Sequence, residues 1–299
     1  MRLLRGHTNS VRCLAFTADG SLLASGSDDH TVRLWDPRSG EQGFTLVAHS
    51  GSVLALAAAP GRRALYSAGD DGALFAWDLE DPHHPTDRTL LSMHRPLVAL
   101  AASPDGGLVA AGGDRPRSTA SSPGLVVLEA TTGRLTDIDP LPEPQRPVWS
   151  LAFAPQGRTL AVAWNNGQVC LWDAVRDRVE ATLPHTVAVR ALAFSPDGRL
   201  LVTAPGTPAL VWELAGRTVR HRFGAIRHAI ESLAFSPDGT LLTGCLDSTV
   251  RLWDACTGQE KARYDWQVGR IHAVAVAPDG MTAAAGGDNG DVVLWDLDP

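Results

Sequence analysis

Lysine is nearly missing from this chain of 299 residues: of 26 basic side chains only Lys261 is one. Acidic groups outnumber basic ones, 33 to 26, giving a formal charge of −7 and a pI near 5.8. Nucleic acid and anionic membranes reward a basic face, so neither is expected as the main ligand. Cysteine is scarce too. Cys13, Cys170, Cys245 and Cys256 show no CxxC or other metal spacing, which excludes a zinc cluster and reads as reduced thiols. No run approaches the roughly 20 apolar residues of a membrane span. The start, MRLLRGH, reaches His7-Thr8-Asn9-Ser10 without the apolar core of a secretory signal. A cytoplasmic protein is expected. The excess of Arg, Ala and Gly over Lys suggests the codon bias of a GC-rich bacterium.

Aromatics make up only 6 %, yet nine of them are tryptophan, and six of these stand at one place in a recurring phrase. Trp35, Trp77, Trp172, Trp212, Trp253 and Trp295 each follow a short apolar run and precede Asp or Glu. Leu128-Glu129 supplies the missing member, so the marks fall 42, 51, 44, 40, 41 and 42 residues apart. Seven copies of a unit of about 40 residues result. With 44 % apolar and 20 % charged residues the chain can bury a large core, and the unbroken period makes it one domain, residues 1–299.

The first copy shows how a unit folds. Val11 to Phe16, Leu22 to Gly26 and Val32 to Trp35 are apolar runs separated by Ala18-Asp19-Gly20 and Asp28-Asp29-His30; Ser39-Gly40 then leads to Phe44 to Val47. Four antiparallel strands joined by tight turns follow. The first turn recurs as Pro104-Asp105-Gly106, Pro155-Gln156-Gly157, Pro196-Asp197-Gly198, Pro237-Asp238-Gly239 and Pro278-Asp279-Gly280, residues suited to a chain reversal. Runs such as VRCLAF do not alternate cleanly, so both faces of each sheet must be buried between neighbours. Copies are expected at about 9–47, 51–91, 96–136, 146–183, 187–223, 228–264 and 269–297, the last completed by residues 1–5.

These marks, with Gly6-His7, Ser25, Asp29 and Trp35-Asp36 in copy one and His49, Ser67, Asp71 and Trp77-Asp78 in copy two, resemble the WD-repeat family of β-propellers over essentially the whole chain. The resemblance implies an all-β, closed seven-bladed propeller of four-stranded antiparallel blades, with the N-terminal strand completing the last blade. It also implies a hydrogen-bonded chain from Trp through Ser and His to Asp. A buried indole N–H and a buried carboxylate both need partners, so this network is structural. Ser25, His7 and Asp29 are therefore no hydrolase triad, and no Gly-x-Ser-x-Gly elbow supports one. Other copies keep only parts: Thr243, Asp247 and Trp253; His185, Thr203 and Trp212; Val162 and Asn166; Ala285 and Asn289. Stability is expected to be uneven, with the first two sheets firmest.

In the family, partners dock on the loop face around the central channel. Carried over by position, that face comprises Arg12, Asp28, Leu54, Asp70, Leu97, Asn165, Arg190, Glu231, Leu246, Arg270, His272 and Asp288. Three tryptophans outside the repeat mark, Trp149, Trp164 and Trp266, map there as well, and exposed Trp beside Arg is hot-spot composition. Trp164 has a second reading, as filler for the Ser and Asp that its copy lacks. Copy three carries an insertion at 114–124, rich in Ser, Pro and Arg, which is either a recognition loop or disordered. Gly286 to Asp291 reads as a turn, not a calcium loop, and His83-His84 as a solvated pair. Neither a cofactor nor a metal is implied.

The function expected is a non-enzymatic scaffold or adaptor, monomeric, that binds a protein or peptide. The alternative is an enzyme or small-ligand sensor at the channel mouth, where His272, Glu231, Asp28 and Asp70 are the titratable groups. Fold alone does not decide between them.

Overall fold

In a computed structural model the residues described are 1–81, 85–114, 123–136, 146–174, 176–223 and 228–297; they contain strands, turns and no α-helix. Blade 1 consists of Val11–Phe16, Leu23–Ser27, Val32–Trp35 and Gln42–Leu46, hydrogen-bonded in chain order. Five further sheets have four strands. Among the described residues blade 3 has three, Leu97–Ala102, Leu108–Gly113 and Leu125–Glu129, with a single bridge from Leu128 to Leu135. Most of its insertion, residues 115–122, lies outside the described residues, as does His83-His84.

The turns behave as their residues dictate. Gly20 and Gly198 take φ of +68°, where a side chain would be strained. The turn aspartates Asp19, Asp105, Asp197 and Asp238 each accept a hydrogen bond from the hydroxyl two residues earlier, on Thr17, Ser103, Ser195 and Ser236.

Seven apolar clusters fill the spaces between neighbouring blades, and the cluster joining Leu4, Val11 and Trp35 to Ala284 and Leu294 closes the ring. The seam is made by Arg2–Leu4, which pairs antiparallel to the last strand with Leu4 opposite Val292. Leu4 is 2 % exposed. Closure leaves few strand edges open to pairing with another chain.

A buried tryptophan sits in six of these clusters and faces the preceding blade. At one position of that blade's second strand, a small or aliphatic residue shares the cluster: Ala24 with Trp77, Ala110 with Trp172, Ala161 with Trp212, Val202 with Trp253, Leu242 with Trp295 and Ala284 with Trp35. The exception is instructive. Where blade 3 has Leu128, blade 2 supplies Tyr66 at the facing position, and the two share one cluster. Here the large ring of the cluster comes from the other side of the interface.

Polar partners for the indoles differ by blade. In blade 1 Trp35 Nε1 donates to Ser25 Oγ at 2.8 Å; the Ser25 hydroxyl meets His7 Nε2 at 2.7 Å, and His7 Nδ1 meets Asp29 at 2.8 Å. Blade 2 repeats this with Trp77, Ser67, His49 and Asp71. Burial holds His7 below its usual pKa despite Asp29, so the ring is neutral at pH 7 and the contact is a hydrogen bond to a carboxylate. Burial also acts to raise Asp29, but hydrogen bonds from Thr31 and His7 outweigh it and bring the carboxyl down to about 2.

Blade 5 stops at His185, Thr203 and Trp212. In blade 6 Trp253 donates to Thr243, while Asp247 is taken by Arg251 at 2.8 Å and His228 stays exposed. Trp172 of blade 4 donates to Asp177 at 3.2 Å, and Trp295 Nε1 of blade 7 has no partner among the described residues.

Candidate functional site

The first strand of most blades carries one residue too many. Register slips between Val11 and Cys13, Val53 and Ala55, Leu97 and Ala99, Val148 and Ser150, Ile230 and Ser232, and Ile271 and Ala273. A bulge leaves its extra residue outside the ladder and re-aims the side chain. Those residues are Arg12, Leu54, Val98, Trp149, Glu231 and His272. Together with Arg190, which precedes the first strand of blade 5, they ring the mouth of the central channel around a cavity of about 390 Å³.

Going round the ring, the character changes once in each direction. Blades 2, 3 and 4 contribute Leu54, Val98 and Trp149; blades 5, 6, 7 and 1 contribute Arg190, Glu231, His272 and Arg12. The Arg190 guanidinium lies 5.0 Å from the centre of the Trp149 ring and 3.6 Å from Glu231. Such stacking fixes a long cation against a half-buried aromatic. Arg12 approaches Asp28 at 3.7 Å, and His272 meets Asp288 at 2.6 Å. Asp288 also accepts from the Arg270 backbone N–H. Arg12 and His272 thus stand beside loop carboxylates, and Arg190 beside that of its neighbour in the ring, Glu231. No group of three His, Cys, Asp or Glu able to hold a metal occurs among the described residues.

Of the expected face, Arg12, Leu54, Trp149, Arg190, Glu231 and His272 line the mouth, with Asp28 and Asp288 beside two of them, and three expectations need correction. Leu97 is fully buried in the core between blades 2 and 3; its successor Val98 occupies the mouth, because side chains alternate and a shift of one residue exchanges faces. Trp164 is also fully buried. It pairs with Val148 at the end of the second strand and packs in the core with Leu125, Val162 and Cys170, which is the filler role. Trp266 stacks on Tyr264 at 5.1 Å and lies 4.4 Å from Trp295, so it covers blade 7 and does not line the mouth. Asp70, Asn165 and Leu246 are half-buried in the second loops of their blades. Asp114, absent from the expected set, lines the mouth; it follows the second strand of blade 3 as Asp28 follows that of blade 1.

A family model described as "WD domain, G-beta repeat" matches residues 1–36, 40–78, 137–173, 178–207, 218–254 and 261–296. The chain belongs to the WD-repeat family. The longest stretch left unmatched, 79–136, holds blade 3 with its Leu128-Glu129 mark. Among similar proteins, periodic tryptophan protein 2 homolog of Dictyostelium discoideum is 32 % identical over 204 residues, 67 % of this chain and 21 % of that protein. Periodic tryptophan protein 2 of Arabidopsis thaliana is 34 % identical over 202 residues, again 67 % and 21 %. Eukaryotic translation initiation factor 3 subunit I of Drosophila willistoni is 24 % identical over 207 residues, 68 % of this chain and 63 % of that protein. The chain therefore spans about a fifth of the first two relatives and under two thirds of the third. All three are eukaryotic and give no support to the bacterial origin expected from composition.

Proposed function

We propose that this WD-repeat protein is a non-catalytic docking platform that holds a protein or peptide over the channel mouth. The observation that carries the reading is the two-sided ring: six bulges and Arg190 deliver seven side chains to one opening, apolar on three consecutive blades and ionisable on the other four. Binding hot spots combine aromatic and arginine side chains in this way. One of the relatives is by name a subunit of a larger assembly, which agrees with a scaffold. The acidic balance of −7 favours protein over nucleic acid or membrane. The protein acts as a monomer, and its four unpaired cysteines suit the cytoplasm.

Affinity capture with the wild type and with a Trp149→Ala/Arg190→Ala variant, quantified by mass spectrometry, tests the reading. Proteins lost at least about tenfold from the variant, at an unchanged melting temperature, support it. Identical captures by both forms sink it.

A further inference from the structure

We propose that the segment seated in the mouth is basic: a protein strand or loop carrying an apolar side chain with lysine or arginine within a few residues of it. This deepens the docking reading and rests on it. The apolar side chain covers Leu54, Val98 and Trp149, and the basic groups meet the carboxylates of Asp28 and Glu231.

Three observations lead there. The mouth ion pairs are loose. Arg190 to Glu231 and Arg12 to Asp28 stand at 3.6 and 3.7 Å and are, among the described residues, the only polar side-chain contacts these four make, whereas Arg158 to Asp173 and Arg251 to Asp247 close to 2.9 and 2.8 Å. Their hydrogen-bonding capacity is therefore unspent, and a partner's charged group can enter either pair.

The surroundings decide the sign. At the loop position of Asp28, consecutive blades 7, 1, 2 and 3 carry Asp288, Asp28, Asp70 and Asp114, while blades 4, 5 and 6 carry Asn165, Gly206 and Leu246. The whole chain adds a field of −7. Arg12, Arg270 and Arg95 counter part of this arc, beside Asp28, Asp288 and Asp114, and the excess of carboxylates together with the chain's net charge draws in a basic segment in preference to an acidic one. Finally, the acidic and apolar arcs overlap on blades 2 and 3, so one short segment reaches both. A cavity of about 390 Å³ holds one or two side chains, not a folded domain.

The test uses the whole protein and a displayed library of random peptides about twelve residues long. Selected peptides are then titrated by fluorescence polarisation against wild type, Trp149→Ala, Trp149→Phe and an Asp28→Asn/Glu231→Gln double variant, each checked by thermal melting. The expected result is enrichment of lysine or arginine beside an apolar residue. Affinity should fall at least about tenfold on Trp149→Ala and on the double variant, and weaken as salt is raised. Peptides enriched in Asp or Glu that still lose affinity on Trp149→Ala overturn the basic partner and leave the docking mouth standing. Basic peptides indifferent to the double variant overturn it as well. Peptides that bind every variant as they bind the wild type, or no enrichment at all, remove both readings. Should Trp149→Ala fail to fold, Trp149→Phe and the double variant carry the same comparison.

Discussion

Blades 1 and 7 are neighbours across the closing seam and bury their marker tryptophans almost equally, Trp35 at 2 % and Trp295 at 5 % exposure, by opposite means. Blade 1 surrounds the indole with a relay of polar groups from Ser25 to His7 to Asp29. Blade 7 has Ala285 where the serine would be, and its indole is shielded by Tyr264 of blade 6 and Trp266 of the following loop instead, with Nε1 left without a partner among the described residues. In these two blades the buried ring is kept and its surroundings differ, so the polar chain is one of several ways to hold it. The price of the second way is an unmade hydrogen bond, worth about 1–3 kcal/mol.

The largest test of that comparison strikes the seam the two blades share. Removing residues 1–4 strips blade 7 of its outer strand and empties the site of Leu4, and is expected to lower the melting temperature by on the order of 10 °C; a shift within a degree shows that the latch is dispensable. Next comes the interface where ring and small residue have traded places. Tyr66→Ala should cost about 3–4 kcal/mol in urea unfolding, and Leu128→Trp about 1–3 by overcrowding Tyr66. The double variant restores the arrangement of the other six interfaces, so its cost should be well below the sum; strict additivity breaks the account.

Acid should cost blade 1 the contribution of its Asp29 carboxylate, on the order of 1 kcal/mol after solvent screening, where blade 7 has Asn289 and no such group to lose. Asp29 has a folded pKa of about 2 against an ordinary 3.8, so its contribution is complete above about pH 4 and is lost as pH falls through 2. His7 is held below 6.5 by burial, so the unfolded chain binds its proton first and stability also declines as pH drops below 6.5. Unfolding curves across pH 2 to 7 should flatten at their acid end in Asp29→Asn, and an unchanged slope contradicts the assignment. Smallest is the repair of blade 7. Ala285→Ser places a hydroxyl beside Trp295 and should stabilise by about 0.5–1 kcal/mol if it accepts the orphan N–H. A neutral or destabilising result means that the aromatic cover leaves no room for it.

Much of this architecture could be read from the chain because local signals agree with one another. The tryptophan marks, the Pro-Asp-Gly turns and the apolar runs place every sheet, and Arg2 to Leu4 closes the ring as the family pattern implies. What escaped reading lies between blades or depends on one residue of register. Nothing near Leu128 announces that Tyr66, 62 residues earlier, has taken over its volume. Leu97 and Val98 are both aliphatic, so composition does not reveal which faces the channel; the bulge does. Trp164 and Trp266 show the same limit, since a large aromatic in a loop or at a strand end serves a core or a surface equally well until its neighbours are known.

The bulges have one more consequence. A side chain left out of the hydrogen-bonded ladder is also released from the ladder's demands: replacing Arg12 or Glu231 alters neither strand alignment nor the filling between blades. Six of the seven letters around the opening are bulge residues of this kind, and apart from the contacts that join Trp149, Arg190 and Glu231 each can change without its neighbours. Diversity of recognition is a geometric property of where the extra residue was inserted.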